Sequence, residues 1–235
     1  MKLGALLGLL LTVLPLVAEV PVRTVLFPFR ETVISSQVDS RLEPYAFLIG
    51  QQFKKGTVLV KLDSGRFALE YKRAQDTYEF SKASFENKKK LRERNFTSDY
   101  ELKKAEFEKN MALNVLNEAK LHLDHCTVTA PFDGKIQEIM TREYETVRPG
   151  QPLCRIIDDS VLLAVMNVPM DDRKLTRPGG TLRIRLSNSN VIKGVIYEVS
   201  PQADPRTGTV RIRVKINNAE GILTAGATGE LCDGD

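Results

Sequence analysis

The chain is predicted to be an α+β protein: a β module split by an antiparallel α-helical coiled-coil hairpin, followed by a small antiparallel β-barrel. Three observations predict it. Residues 64–125 carry two runs of heptad-spaced apolar residues, parted by small polar residues at 95–99. A short phrase built around a glycine occurs once on each side of that stretch. The last third of the chain alternates polar and apolar residues in short runs divided by turn residues.

With 235 residues, 42 % hydrophobic and 27 % charged, the chain has an ordinary globular composition and enough length for one or two cores. Its net charge is +4 and its basic residues are interspersed with acids, so no nucleic-acid partner is implied. Residues 1–18 read as a secretory signal peptide. Lys2 supplies the positive start, Leu3–Leu14 is an apolar run, Pro15 breaks it, and Ala18 offers a small residue before Glu19. That run is short for a membrane span. A buried N-terminal helix is the plainer alternative.

From Val20 to Asp63 the pattern is strand-like, with Thr32–Val38 the first β-branched run. Phe53–Asp63 holds a Lys-Lys-Gly turn, where Gly56 tolerates positive φ, and then the strand Val58–Leu62. Val147–Ile156 repeats this phrase. Gly150 falls on Gly56, Leu153 on Leu59, Ile156 on Leu62 and Val147 on Phe53. Each copy is too short to bury a core alone, so the two should pack together as quasi-symmetric halves of one module.

The first arm of the hairpin runs from about Gly65 to Arg94, with Phe67, Tyr71, Ala74, Tyr78, Ser81 and Phe85 along its seam. The second arm steps strictly by three and four through Leu102, Ala105, Lys109, Ala112, Leu116, Ala119 and Leu123. Small alanines let the arms approach closely and receive the aromatic residues of the first arm. Thr97 or Ser98 should cap the second arm, with Glu101 completing a capping box to Ser98. At 1.5 Å per residue each arm extends roughly 40–45 Å. One stripe per helix suits a two-helix rod better than a bundle, and the remaining charges form a solvated face.

Strand character returns at Cys126–Ala130, followed by the turn Pro131-Phe132-Asp133-Gly134 and the strand Lys135–Met140. Val161–Val168 is an apolar strand, and Pro169–Leu175 a short helix with proline at its start. Thr181–Leu186, Val191–Ser200 and Thr209–Ile216 alternate clearly, and Thr228–Cys232 is the last strand. Val210, Ile212, Val214 and Ile216 face one way, with Arg211, Arg213 and Lys215 opposite. About six short strands fit a small barrel.

Candidate chemistry is sparse. His122, His125 and Cys126 cluster at the end of the second arm. They read first as helix-end residues favourable to the dipole, with a metal site as the alternative. Three cysteines, Cys126, Cys154 and Cys232, are an odd number and make no disulfide framework. Cys126 and Cys154 lie in the same β module and either pair or remain buried thiols. There is no Gly-rich phosphate loop and no Ser/His/Asp arrangement, so the chain reads as a non-enzyme that needs no cofactor.

Several stretches together carry a family resemblance: Thr127–Ile136, the repeat pair ending at Asp63 and Asp158, Gly194–Asp204, Thr207–Asn217 and Leu223–Gly226. In content and order, over residues 32–232, they resemble the membrane fusion proteins, or periplasmic adaptors, of RND-type and related tripartite efflux pumps. The resemblance implies a lipoyl-like β module whose halves are residues 19–63 and 126–158, a hairpin at 64–125 and a β-barrel at 159–235. It implies a periplasmic chain that bridges an inner-membrane transporter to an outer-membrane channel, with copies forming a homo-oligomeric ring. It also implies a partner-docking hairpin tip bearing an Arg, a Leu and a Ser. Leu91 and Ser98 stand at the Leu and Ser positions. Asn87 holds the Arg position, so the tip's charge falls to Lys88, Arg92 or Arg94, of which Arg94 joins Leu91 and Ser98 as the expected docking set. The membrane-proximal domain of many members is not expected here. A lipoyl or biotin carrier would instead present a modifiable lysine between the two halves, where this chain has its helices. A secreted coiled-coil scaffold without a transporter is the other alternative.

Overall fold

The two β segments that flank the helices follow one backbone path twice. In the computed structural model, which describes residues 22–172 and 174–232, residues 36–62 and 130–156 correspond at one constant offset in the backbone hydrogen bonds they exchange. The Gly56 amide donates to the Ala130 carbonyl and the Gly150 amide to that of Ser36, both at 2.8 Å. Ala130 in turn donates to Thr57 and Ser36 to Gln151, both at 2.9 Å. Further along, Gly50 donates to Ile136 and Tyr144 to Leu42. Gly56 and Gly150 share a left-handed φ of 81° and 84°, which glycine adopts without steric cost. Tyr144 keeps the turn of its counterpart Gly50 at φ 65°, a conformation uncommon for a side chain of that size.

The chain order is β1 (Arg23–Ser35), β2 (Ser40–Arg41), β3 (Gln52–Phe53), β4 (Val58–Lys61), α1 (Gly65–Glu93), α2 (Asp99–Asp124), β5 (Thr127–Thr129), β6 (Gly134–Ile139), β7 (Thr146–Val147), β8 (Pro152–Pro169), β9 (Thr181–Leu186), β10 (Val191–Asp204), β11 (Thr209–Asn217) and β12 (Thr228–Cys232). The pseudo-symmetry recurs in the strand pairs. Ser40 pairs with Val147 in β2–β7, and Phe53 with Gly134 in β3–β6, the same contact made from opposite halves. The signal peptide expected at residues 1–18 lies outside the described residues. No helix among the described residues is long and apolar enough to cross a membrane.

The chain divides into two units. One holds Phe27–Leu163 with Asn217–Ala225, and the other holds, among the described residues, 22–26, those of Ala164–Ile216, and 226–232. In the first unit the core is shared by the two halves. Leu42, Leu59 and Leu62 from one copy meet Ile136, Leu153 and Ile156 from the other, closed by Phe53, Val147 and Cys154. Burial pushes the Cys154 thiol up to about 11, so it stays neutral, and it pushes the Cys126 thiol up as well. All three cysteines are free thiols.

Phe67, in the first turn of α1, is part of this core and anchors the hairpin to it. Its ring stacks on His122 of α2 with centroids 6.3 Å apart. Along the arms the predicted seam is the buried one: Ala74, Ala105 and Ala112 are covered, and Tyr71, Tyr78, Phe85, Leu116 and Leu123 half-covered. The one polar seam residue of α2, Lys109, sets its ammonium 4.2 Å from the Phe85 ring centroid, which satisfies its charge inside an apolar stripe.

In the second unit the strand order β1–β12–β9–β10–β11–β8 returns to its start through a β1–β8 pairing, which makes a six-stranded closed barrel. Val210, Ile212, Val214 and Ile216 point inward and Arg211 and Arg213 outward, as the alternation predicts. The helix expected over 169–175 is absent among the described residues of that stretch. Asp172 instead accepts from the Lys174 and Leu175 amides, and Thr176 donates to its carbonyl. That single turn ends at Pro178 and Gly179, too short to propagate a helix. The first strand also differs: it spans Arg23–Ser35 and stops short of Val38, because the Ser36 hydroxyl turns back to donate to the Val38 carbonyl at 2.6 Å.

Candidate functional site

The far end of the hairpin is set by two complementary helix ends. At the end of α1 the Phe96 amide donates to the Leu91 carbonyl and the Asn95 amide to that of Arg92, both at 2.9 Å. Asn95 sits at φ 61°. This is a Schellman closure, and it uses an asparagine where glycine is commoner. Ser98 is the N-cap of α2: its hydroxyl accepts from the Glu101 amide at 3.2 Å. The reciprocal half of the expected capping box is replaced, since the Glu101 carboxylate reaches across to Lys88 of α1 at 3.3 Å. Ser98→Ala is expected to cost about 1 kcal/mol of α2 stability, read as faster hydrogen exchange at the Glu101 amide with the seam amides unchanged.

A second cross-arm tie braces the turn. Arg92 Nε donates to Asp99 Oδ1 at 2.6 Å and Arg92 Nη1 to Asn95 Oδ1 at 3.1 Å. The hydrogen bond from Arg92, with its charge, holds the Asp99 carboxyl below the usual carboxylate range, and the Arg92 pKa is raised in return. The sequence offers Lys88, Arg92 and Arg94 as sources of tip charge, with Arg94 in the expected docking set. The first two are engaged within the hairpin, whereas Arg94 is the exposed C-cap of α1 with no ion pair among the described residues. Leu91 is half-buried beneath the turn, and Ser98 is exposed beside it.

Two tip residues were missed. Phe96 and Tyr100 flank Ser98 and are 76 % and 74 % exposed. Their signal in the sequence is that neither falls on the heptad seam. At the base of the arms, His122 stacks on Phe67 and His125 is the C-cap of α2. Among the described residues no three His, Cys, Asp or Glu side chains are grouped to hold a metal ion.

This arrangement of split β module, hairpin and barrel coincides with two family models. Residues 30–159 match the barrel-sandwich hybrid domain of RND membrane fusion proteins, and residues 164–232 match the CusB-like β-barrel domain. The chain belongs to the RND membrane fusion protein family. Among curated relatives, the multidrug resistance protein MdtA of Yersinia enterocolitica is 22 % identical over an alignment covering 81 % of this chain and 49 % of that protein. This membrane fusion protein thus spans about half the length of the curated relatives it matches. Two solved structures share its fold. A MacA–MexA chimera carrying the Pseudomonas aeruginosa MexA α-hairpin aligns with a TM-score of 0.80 at 19 % identity, covering 92 % of this chain and 82 % of that one. The membrane fusion protein Spr0693 of Streptococcus pneumoniae aligns with a TM-score of 0.73 at 16 % identity, covering 91 % and 98 %.

Proposed function

We propose that this chain is a periplasmic adaptor that bridges an inner-membrane transporter to an outer-membrane channel in tripartite efflux or export. It is exported by residues 1–18 and works as a ring of identical copies whose arms are the staves of a conduit. Its working parts are the lipoyl-like halves 19–63 and 126–158, the hairpin 64–125 and the barrel 159–235. The tip docks the channel through Leu91, Arg94 and Ser98.

One observation carries this reading. The hairpin leaves and re-enters a closed, pseudo-symmetric core, and among the described residues its far end is braced by bonds within the hairpin itself. A rod fixed at one end and solvated along its length is built to reach something. Membership of the membrane fusion family supports the choice of what it reaches. The mechanism is assembly, not bond chemistry. The rigid turn presents a preorganised apolar-and-cationic tip, which lowers the ordering cost of docking.

Purification of the chain from cell envelopes tests it. An inner-membrane transporter is expected to accompany the chain through gentle detergent extraction. Recovery of the chain free of any transporter, with the hairpin intact, would favour a secreted coiled-coil scaffold.

A further inference from the structure

The outer face of the barrel carries cations where strand pairing places like charges side by side. Arg183 of β9 is the direct cross-strand partner of Lys193 of β10. Arg185, two residues on and on the same face, pairs with Val191. Like charges directly opposite one another destabilise a sheet. Nothing in the barrel relieves this pair: among the described residues Arg183, Arg185 and Lys193 make no ion pair. Glu230, the cross-strand neighbour of Arg185 on β12, is engaged by Arg23 at 3.4 Å instead. The next strand extends the pattern, with Arg211 and Arg213 exposed on the same side of β11. Of the two acids of β10, Glu198 is held by Arg213 at 3.0 Å, and Asp204, opposite Thr209 at the far end of the strand, lies 4.0 Å from Arg206.

Apolar side chains are interleaved with these cations. Val191, Val195 and Tyr197 alternate with Lys193 along the exposed side of β10. A sheet face that combines unneutralised cations with exposed aliphatic and aromatic tips has the chemistry of a peripheral membrane surface. The cations match lipid phosphates, and the apolar tips and an amphipathic tyrosine suit the headgroup boundary. An acidic protein partner would account for the charges but not for the valines set among them.

We infer that the outer face of β9, β10 and β11 binds a bilayer surface rich in anionic phospholipid, with Arg183, Arg185 and Lys193 at its centre. This surface is separate from the hairpin tip and does not depend on the adaptor reading. It holds the barrel against the membrane whether or not a transporter is present.

Co-sedimentation of the folded chain with vesicles tests it. Vesicles of phosphatidylcholine mixed with phosphatidylglycerol are expected to bind the chain at low salt and release it at high salt. Vesicles of phosphatidylcholine alone should bind it far less. The combined variant R183Q/R185Q/K193Q is expected to lose about a hundredfold in affinity for the anionic vesicles. A variant that removes as many charges from the hairpin, K82Q/K89Q/K90Q, should bind as the parent does. Unchanged vesicle binding by the barrel variant, or equal binding to both vesicle types, would overturn the inference. So would a barrel variant that keeps its vesicle affinity and loses a transporter, which would assign the face to an acidic protein.

Discussion

Truncating Leu153 to alanine lowers the stability of the β module by about 2–5 kcal/mol, and truncating Leu59 costs about the same. The two side chains are 0 % and 1 % exposed and occupy equivalent places in the two copies of the repeat. Each removal strips the same apolar surface from the same core. Each leaves a cavity whose walls come from both halves, so neither half can relax alone to fill it. Equilibrium unfolding in urea would measure both. The midpoints should fall by similar amounts with little change in slope. Leu121→Ala, on the exposed side of α2, should stay within about 0.5 kcal/mol of the parent. A large loss for one core position with tolerance at the other would mean that the halves do not share a core. Phe67 ties the base of the hairpin to that core, so both truncations should also loosen the first turn of α1.

The symmetry behind this expectation was half legible. Gly56 and Gly150 with the apolar residues behind them were readable, because a left-handed turn and a buried strand restrict residue choice tightly. The earlier part of the repeat was not. There Leu42 meets Ile136, Val38 meets Phe132 and Gly50 meets Tyr144. The equivalence is carried by backbone hydrogen bonds that accept almost any side chain. Heptad spacing predicted the hairpin seam residue by residue, since a two-helix rod has one buried stripe and nothing else to bury. Lys109 was its single charged member, and only the neighbouring arm could explain it, through Phe85. At the tip, the cap of α2 was readable as Thr97 or Ser98, and Ser98 takes it. By contrast, Arg92 and Arg94 are chemically identical, and the sequence cannot separate a strut from an exposed cation. Their positions around the last turn of α1 separate them, with Arg92 facing Asp99 and Arg94 facing solvent. The barrel face was hidden for the same reason. Arg183 and Lys193 lie far apart in a list of interspersed charges and become neighbours only through the register of β9 with β10.

Leu91→Asp is expected to abolish transport while the chain accumulates normally, provided the tip docks a channel as proposed. The backbone at Leu91 is fixed independently of its side chain, because its carbonyl accepts from Arg94 at 3.2 Å and Phe96 at 2.9 Å. The substitution therefore leaves the Schellman closure in place. A carboxylate in the last turn of α1 opposes the helix dipole, a cost of about 0.3–1 kcal/mol. That is small against a seam running the length of both arms. In the docked state the balance reverses. An apolar contact becomes a charge that must be desolvated, at a penalty of several kcal/mol when no partner is supplied. That is enough to lower occupancy of the complex by two or more orders of magnitude. Two companions separate apolar contact from charge. Leu91→Ala should weaken transport without abolishing it, and Arg94→Ala should leave the fold intact and weaken docking more at low salt than at high. Transport, protein level and helix content measured together decide the matter. Undiminished transport by Leu91→Asp at normal protein level would remove Leu91 from the docking set, and the exposed rings of Phe96 and Tyr100 would then be the apolar surface the tip offers.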